Sequence, residues 1–156
     1  MRQIRQIHVA SPLLAWDLVI PRRTDSRRVL VVDDYPDARE MYSEYLRLSG
    51  FEVVEATNGL EAVERAIESL PDLILMDFSL PVIDGWEATR RLKADPRTSG
   101  IPVVALTGHD LADGAEGARR AGCDRFVTKP CTPDELVQEV EGVLAERAAA
   151  GAKKRD

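Results

Sequence analysis

From Val29 onward the chain repeats one alternation five times, a short β-branched run followed by an amphipathic stretch. The runs are "VLVVDD" (29–34), "FEVVEA" (51–56), "DLILMD" (72–77), "IPVVALT" (101–107) and "CDRFVT" (123–128). The first, third and fourth are almost unbroken apolar segments, as strands covered on both faces must be. The second and fifth alternate more and suit positions nearer a sheet edge. Five β–α units joined by right-handed crossovers predict an α/β fold, a doubly wound five-stranded parallel sheet with helices on both faces. At 156 residues the chain suits one domain with modest extensions. The domain is expected over 28–147, with an N-terminal extension over 1–27 and a flexible basic tail over 148–156.

The helix boundaries are marked by their chemistry. Pro36 stands at a first-turn position, and Ala38, Met41, Tyr42, Tyr45 and Leu46 recur at helical spacing until Gly50 stops the run. Asn58 with Glu61, Asp84 with Glu87, and Thr132 with Glu135 each pair a capping residue with an acid three positions on, and Pro133 adds a first-turn proline. The fourth helix, about 109–121, is the weak one, because Gly114 and Gly117 each cost roughly 1 kcal/mol relative to Ala. Such a helix beside a functional loop suits a moving part.

Charge narrows the function classes. The net charge is −6, yet residues 1–28 hold six arginines against Asp17 and Asp25, and residues 146–156 hold four basic groups against two acidic ones. The body between them is therefore strongly acidic, which disfavours direct nucleic-acid binding. No run of about 18 apolar residues is present, so no membrane span is expected. The stretch "VASPLLAWDLVIP" is signal-like, but Pro12 and Asp17 interrupt it and no small-residue cleavage site follows; the expected location is cytoplasmic. Cys123 and Cys131 follow no metal or redox spacing and read as reduced structural thiols.

Ligands of open parallel sheets bind outside the carboxyl ends of the strands. That rule selects Asp33 and Asp34, Asp77, Thr107, and Thr128 to Pro130 with Lys129 between them. Three carboxylates brought together repel, and at least one would stay protonated. A hard divalent cation resolves this, and Mg²⁺ is usually held by one or two carboxylates, water and phosphate oxygens. Lys129 and Thr107 add an ammonium and a hydroxyl, so the set forms an electrostatic cage for a phosphoryl group, whose transfer needs mostly positioning and charge neutralisation. Asp77, on the central strand, is best placed as the nucleophile, giving an acyl phosphate. Taken singly, each residue has an ordinary role: the acidic pair could cap the next helix, Asp77 could serve a turn, and Thr107 and Lys129 could be loop residues.

The pieces "VLVVDD", "LILMDFSLPVIDGWEATRRLK", "IPVVALTG" and "FVTKP" resemble the receiver domain of two-component response regulators, and the likeness runs from Arg28 to Leu144. The resemblance implies a flavodoxin-like (βα)5 fold with strand order 2-1-3-4-5. It implies that Asp77 is the phosphoacceptor, and that Mg²⁺ is bound by Asp34, Asp77 and the backbone carbonyl of Ser79, with Asp33 acting through water. Thr107 and Lys129 match the groups that contact the phosphoryl oxygens, Phe126 the aromatic that changes rotamer on activation, and Lys129–Pro130 a bond that is typically cis. It further implies a signalling switch rather than an enzyme. The donor would be a sensor histidine kinase or histidine phosphotransfer protein, and the output protein–protein contact through helix 4, strand 5 and helix 5, with a dimer on activation as an option. Too little chain follows Leu144 for an output domain, which suits the stand-alone type. Two positions depart from the family pattern, Phe126 where Tyr is commoner and Gly108 where Ala is usual, and Ser79 and His109 occupy the positions that influence phosphate lifetime in relatives.

Three other readings are weaker. A phosphatase of the haloacid dehalogenase type needs a second acid two residues after its nucleophile, and counting from Asp33 that place is Tyr35. A nucleotide- or flavin-binding protein would show a Gly-rich loop after a strand. A receiver-like module that is never phosphorylated would not need the complete acid–Thr–Lys set.

Overall fold

The computed structural model describes residues 27–108, 116, 117 and 119–155. The signal-like stretch, Trp16, His109 and Gly114 lie outside them. Five strands form one parallel sheet: β1 (Arg28–Val32), β2 (Glu52–Ala56), β3 (Leu73–Asp77), β4 (Val103–Thr107) and β5 (Arg125–Thr128). Their order is β2-β1-β3-β4-β5, with β2 and β5 at the edges as their alternating patterns predict. Every residue of β3 and β4 is buried. The strands are shorter than the apolar runs, and Asp33 and Asp34 fall just beyond β1.

Helices cover both faces and divide the core in two. Leu30, Val32, Ile74, Met76, Val103 and Ala105 point to one side, and Val29, Val31, Leu73, Leu75, Val104 and Leu106 to the other. This alternation is the period-two geometry of a strand, applied to a sheet buried on both faces. The helices are α1 (Pro36–Leu48), α2 (Gly59–Ser69), α3 (Gly85–Ala94), α4, described at 116, 117 and 119–121, and α5 (Pro133–Arg155).

All three capping residues serve as expected, in different ways. Asn58 accepts the Glu61 N–H at 2.8 Å and Asp84 the Glu87 N–H at 2.9 Å. Only Thr132 and Glu135 close a reciprocal box, at 3.2 and 2.8 Å. Residues 148–155, expected as a flexible tail, continue α5 as helix to Arg155. The Ala-rich composition favours helix there despite Gly151. Among the described residues, no helix is long and apolar enough to cross a membrane.

Candidate phosphoryl and metal site

The carboxyl ends of β1, β3, β4 and β5 meet at one edge of the sheet. β3 lies between β1 and β4, with Val32 opposite Met76 and Asp77 opposite Leu106. This register carries Asp77 to the middle of the edge, beside the acidic pair that follows β1. One carboxylate oxygen from each of Asp33, Asp34 and Asp77 lies within 4.8 Å of the others. Asp33 is 1% exposed and Asp77 7%, whereas Asp34 is open to solvent.

Each buried acid is oriented by its own backbone. Asp33 Oδ1 accepts the Tyr35 N–H at 3.0 Å, and Asp77 Oδ1 accepts the Ser79 N–H at 3.0 Å. These Asx turns leave the second oxygen of each side chain facing Lys129, whose ammonium donates to Asp33 Oδ2 at 3.3 Å and Asp77 Oδ2 at 3.4 Å. The backbone supports the lysine in turn, since its N–H donates to the Thr107 carbonyl at 2.7 Å. The Lys129–Pro130 bond is cis, as expected. Helix capping does not account for the acidic pair, because the N-cap of α1 is Tyr35, whose side chain makes no cap bond, and Asp33 reaches only the N–H of Tyr35 itself.

Burial is the main influence on Asp33 and raises its pKa, against the Tyr35 N–H and Lys129, which lower it. For Lys129 burial opposes the charge, but Asp77 and Asp33 outweigh it and hold the pKa above the ordinary lysine value. The lysine is therefore a permanent cation, and it is one positive charge facing three carboxylates. The excess of hard oxygen donors fits a small divalent cation. The Thr107 hydroxyl is buried and finds no partner among the described residues. Phe126 is opposite Ala105 in the β4–β5 register and 37% exposed, so its ring faces outward.

Two glycines pack against the turn after Asp77 and a third against Trp86 in α3, and the sequence alone gives them no such role. A Cβ on Gly59 would overlap the carbonyl oxygen of Ile83, and one on Gly85 would come within 2.7 Å of the Asp77 carbonyl oxygen and Phe78 Cα. A Cβ on Gly117 would overlap the ring of Trp86. The signal for the first two was their place immediately after a capping residue, where a bulkier residue is usually tolerated. Gly117 carried only the signature of a helix breaker.

Comparison with known proteins then decides the family. The profile of the response regulator receiver domain matches residues 29–141. The chain belongs to this family. It is 33% identical over 120 residues to the polar-differentiation response regulator DivK of Brucella anthropi, an alignment covering 77% of this chain and 98% of that protein. It is 39% identical over 118 residues to the phosphate regulon transcriptional regulatory protein PhoB of Pseudomonas aeruginosa, covering 76% of this chain and 52% of PhoB. Among solved structures it resembles the receiver domain of the sensor histidine kinase PA1611 from P. aeruginosa, which has a magnesium ion coordinated in its active-site cleft. The TM-score is 0.72 at 32% identity, over 77% of this chain and 98% of that one. The chain is thus a receiver domain of two-component signalling, a class of switches rather than of classical enzymes.

Proposed function

We propose that Asp77 accepts a phosphoryl group from a phosphohistidine on a sensor kinase or phosphotransfer protein, and that the resulting acyl phosphate switches the domain. The observation that carries this reading is the Asp77 carboxylate at the end of the central strand, 3.4 Å from Lys129 and within 4.8 Å of two further acids. One oxygen of Asp77 attacks phosphorus, the phosphorus–nitrogen bond of the donor breaks, and the electron pair leaves on the imidazole, which takes up a proton. Lys129 shifts from the carboxylates to the incoming phosphoryl oxygens, as a point charge is suited to do. The Thr107 hydroxyl donates to a further oxygen, which would give that buried group a partner.

Asp34, Asp77 and the Ser79 carbonyl would hold Mg²⁺ directly, with Asp33 reaching it through water. When bound, the ion neutralises charge on the phosphoryl oxygens during transfer. Once Thr107 moves inward, Phe126 turns in from its exposed position, and the face formed by α4, β5 and α5 changes for a downstream protein. Phe126 has no hydroxyl, so its inward state is held by packing alone. This reading places the protein in the cytoplasm, with signalling by protein contact rather than by direct nucleic-acid binding.

The test is intact mass after incubation with Mg²⁺ and acetyl phosphate, beside an Asp77→Asn control. One added phosphoryl group, absent without Mg²⁺ and in the control, is the expected result. No addition while Mg²⁺ binding is demonstrable would instead favour a binding module that is never phosphorylated.

A further inference from the structure

We infer that Trp86 is a positioning residue that links the turn after Asp77 to helix α4, so that displacement at one is felt at the other. Its signalling consequence rests on the phosphoacceptor reading of Asp77, but the link itself does not.

The link begins at the acceptor. Phe78, the next residue, donates its N–H to the Leu106 carbonyl at 3.1 Å, and Gly85 donates to the Phe78 carbonyl at 3.5 Å. Gly85 lies so close to the backbone of Asp77 and Phe78 that even a methyl group would meet three atoms at 2.7 Å. The first turn of α3 is therefore in backbone contact with the acceptor and follows it. The Asp84 cap keeps that turn intact, because its carboxylate holds the Glu87 N–H at 2.9 Å.

Trp86 is the next residue along. Its ring centroid is 5.1 Å from that of Phe78, with the planes inclined at 58°, a tilted aromatic contact. The far edge of the same indole enters α4 at Gly117, where a Cβ would overlap Cζ3 and Cη2. One side chain thus touches both the residue after Asp77 and the backbone of α4. Gly117 is the notch that admits it.

Glycine disfavours a helix relative to Ala, so the notch also weakens the element it belongs to. Interiors close-packed around an aromatic ring pass on displacement, because no void absorbs it. A marginal helix is the kind of element whose equilibrium such a displacement can bias. The helix-breaking glycine and the large ring are two halves of one contact.

The test is a double-mutant cycle read by amide NMR shifts in the metal-free protein. Gly117→Ala, Trp86→Ala and the double variant are compared with wild type. The expected result is that Gly117→Ala moves the amides of Phe78 and Ser79 by more than a linewidth, and that this movement is lost in the Trp86→Ala background. Equal movement in both backgrounds, or none in either, overturns the link.

If Gly117→Ala fails to fold, Trp86→Ala and Trp86→Phe decide. Amides at 119–121 and at Phe78 should shift together in the first and return toward wild type in the second. Independent behaviour of the two regions overturns the link. Intact mass with acetyl phosphate and Mg²⁺ is measured on the same samples. Wild type that takes up no phosphoryl group sinks the acceptor reading alone, while the metal-free cycle still decides the link. Where uptake occurs, Trp86→Ala should weaken the phosphorylation-induced shift at 119–121 by roughly 2-fold or more. An undiminished shift overturns the link.

Discussion

Two residues at the site are held in states that cost stability. Val82, in the loop after Asp77, has φ of 72° and is 73% exposed. A β-branched residue in the left-handed region is strained by about 1–3 kcal/mol, and exposure means little packing offsets it. Val82→Gly relieves that strain but gives the unfolded chain more freedom, so the net expectation is a gain of about 1 kcal/mol by urea denaturation. A loss of stability would show that the Val82 side chain makes contacts that outweigh the strain. Asp33 presents the electrostatic counterpart. Burial raises its pKa above 3.8, so its contribution favours folding below that value and is lost as pH rises through the folded pKa. Asp33→Asn, which keeps an oxygen for the Tyr35 N–H, should therefore melt above wild type at pH 7 without divalent ions. The advantage should fade toward pH 3, where the native acid is neutral too. A variant no more stable at pH 7 would mean that the bond to Lys129 outweighs burial.

At the scale of elements, what was legible followed from local rules. The strand runs, Asn58, Asp84 and Thr132 as caps, and the proline starting α1 depend on periodicity and on backbone groups a few residues away, and all stand where the sequence put them. Asn58→Ala should cost about 1 kcal/mol in a urea melt, the usual loss for an N-cap whose side chain accepts a backbone N–H. A cost near zero would mean that the Gly59–Ile83 contact alone fixes the start of α2. The acidic site was legible because parallel strands must end at one edge, so four separated residues became neighbours once the sheet was assumed. Gly117 was not. Taken locally it only weakens a helix, and its reason lies in Trp86, about thirty residues away in the chain. The helical end of α5 is a local matter too, since a low-complexity sequence rich in alanine has high helix propensity.

At the scale of the whole molecule, the sheet edge concentrates like charge that the rest of the fold must tolerate. Three carboxylates face one ammonium, and burial magnifies their repulsion. The metal-free protein should thus be under tension at the carboxyl ends of the neighbouring strands β1 and β3. A cation that binds only the folded state stabilises it by mass action, about 2.7 kcal/mol when its concentration is 100 times the dissociation constant. Thermal melts in rising MgCl₂ at constant ionic strength should show a saturating increase in Tm, by several degrees at saturation for a domain of this size. Asp34→Asn should nearly abolish the increase, because Asp34 is the solvent-facing member of the cluster and the one the lysine does not already engage. The effect should also weaken as pH falls toward the raised pKa of Asp33, where protons compete with the metal. If Asp34→Asn responds to Mg²⁺ as wild type does, the ion binds elsewhere, and the three carboxylates are only a repulsive cluster that Lys129 restrains.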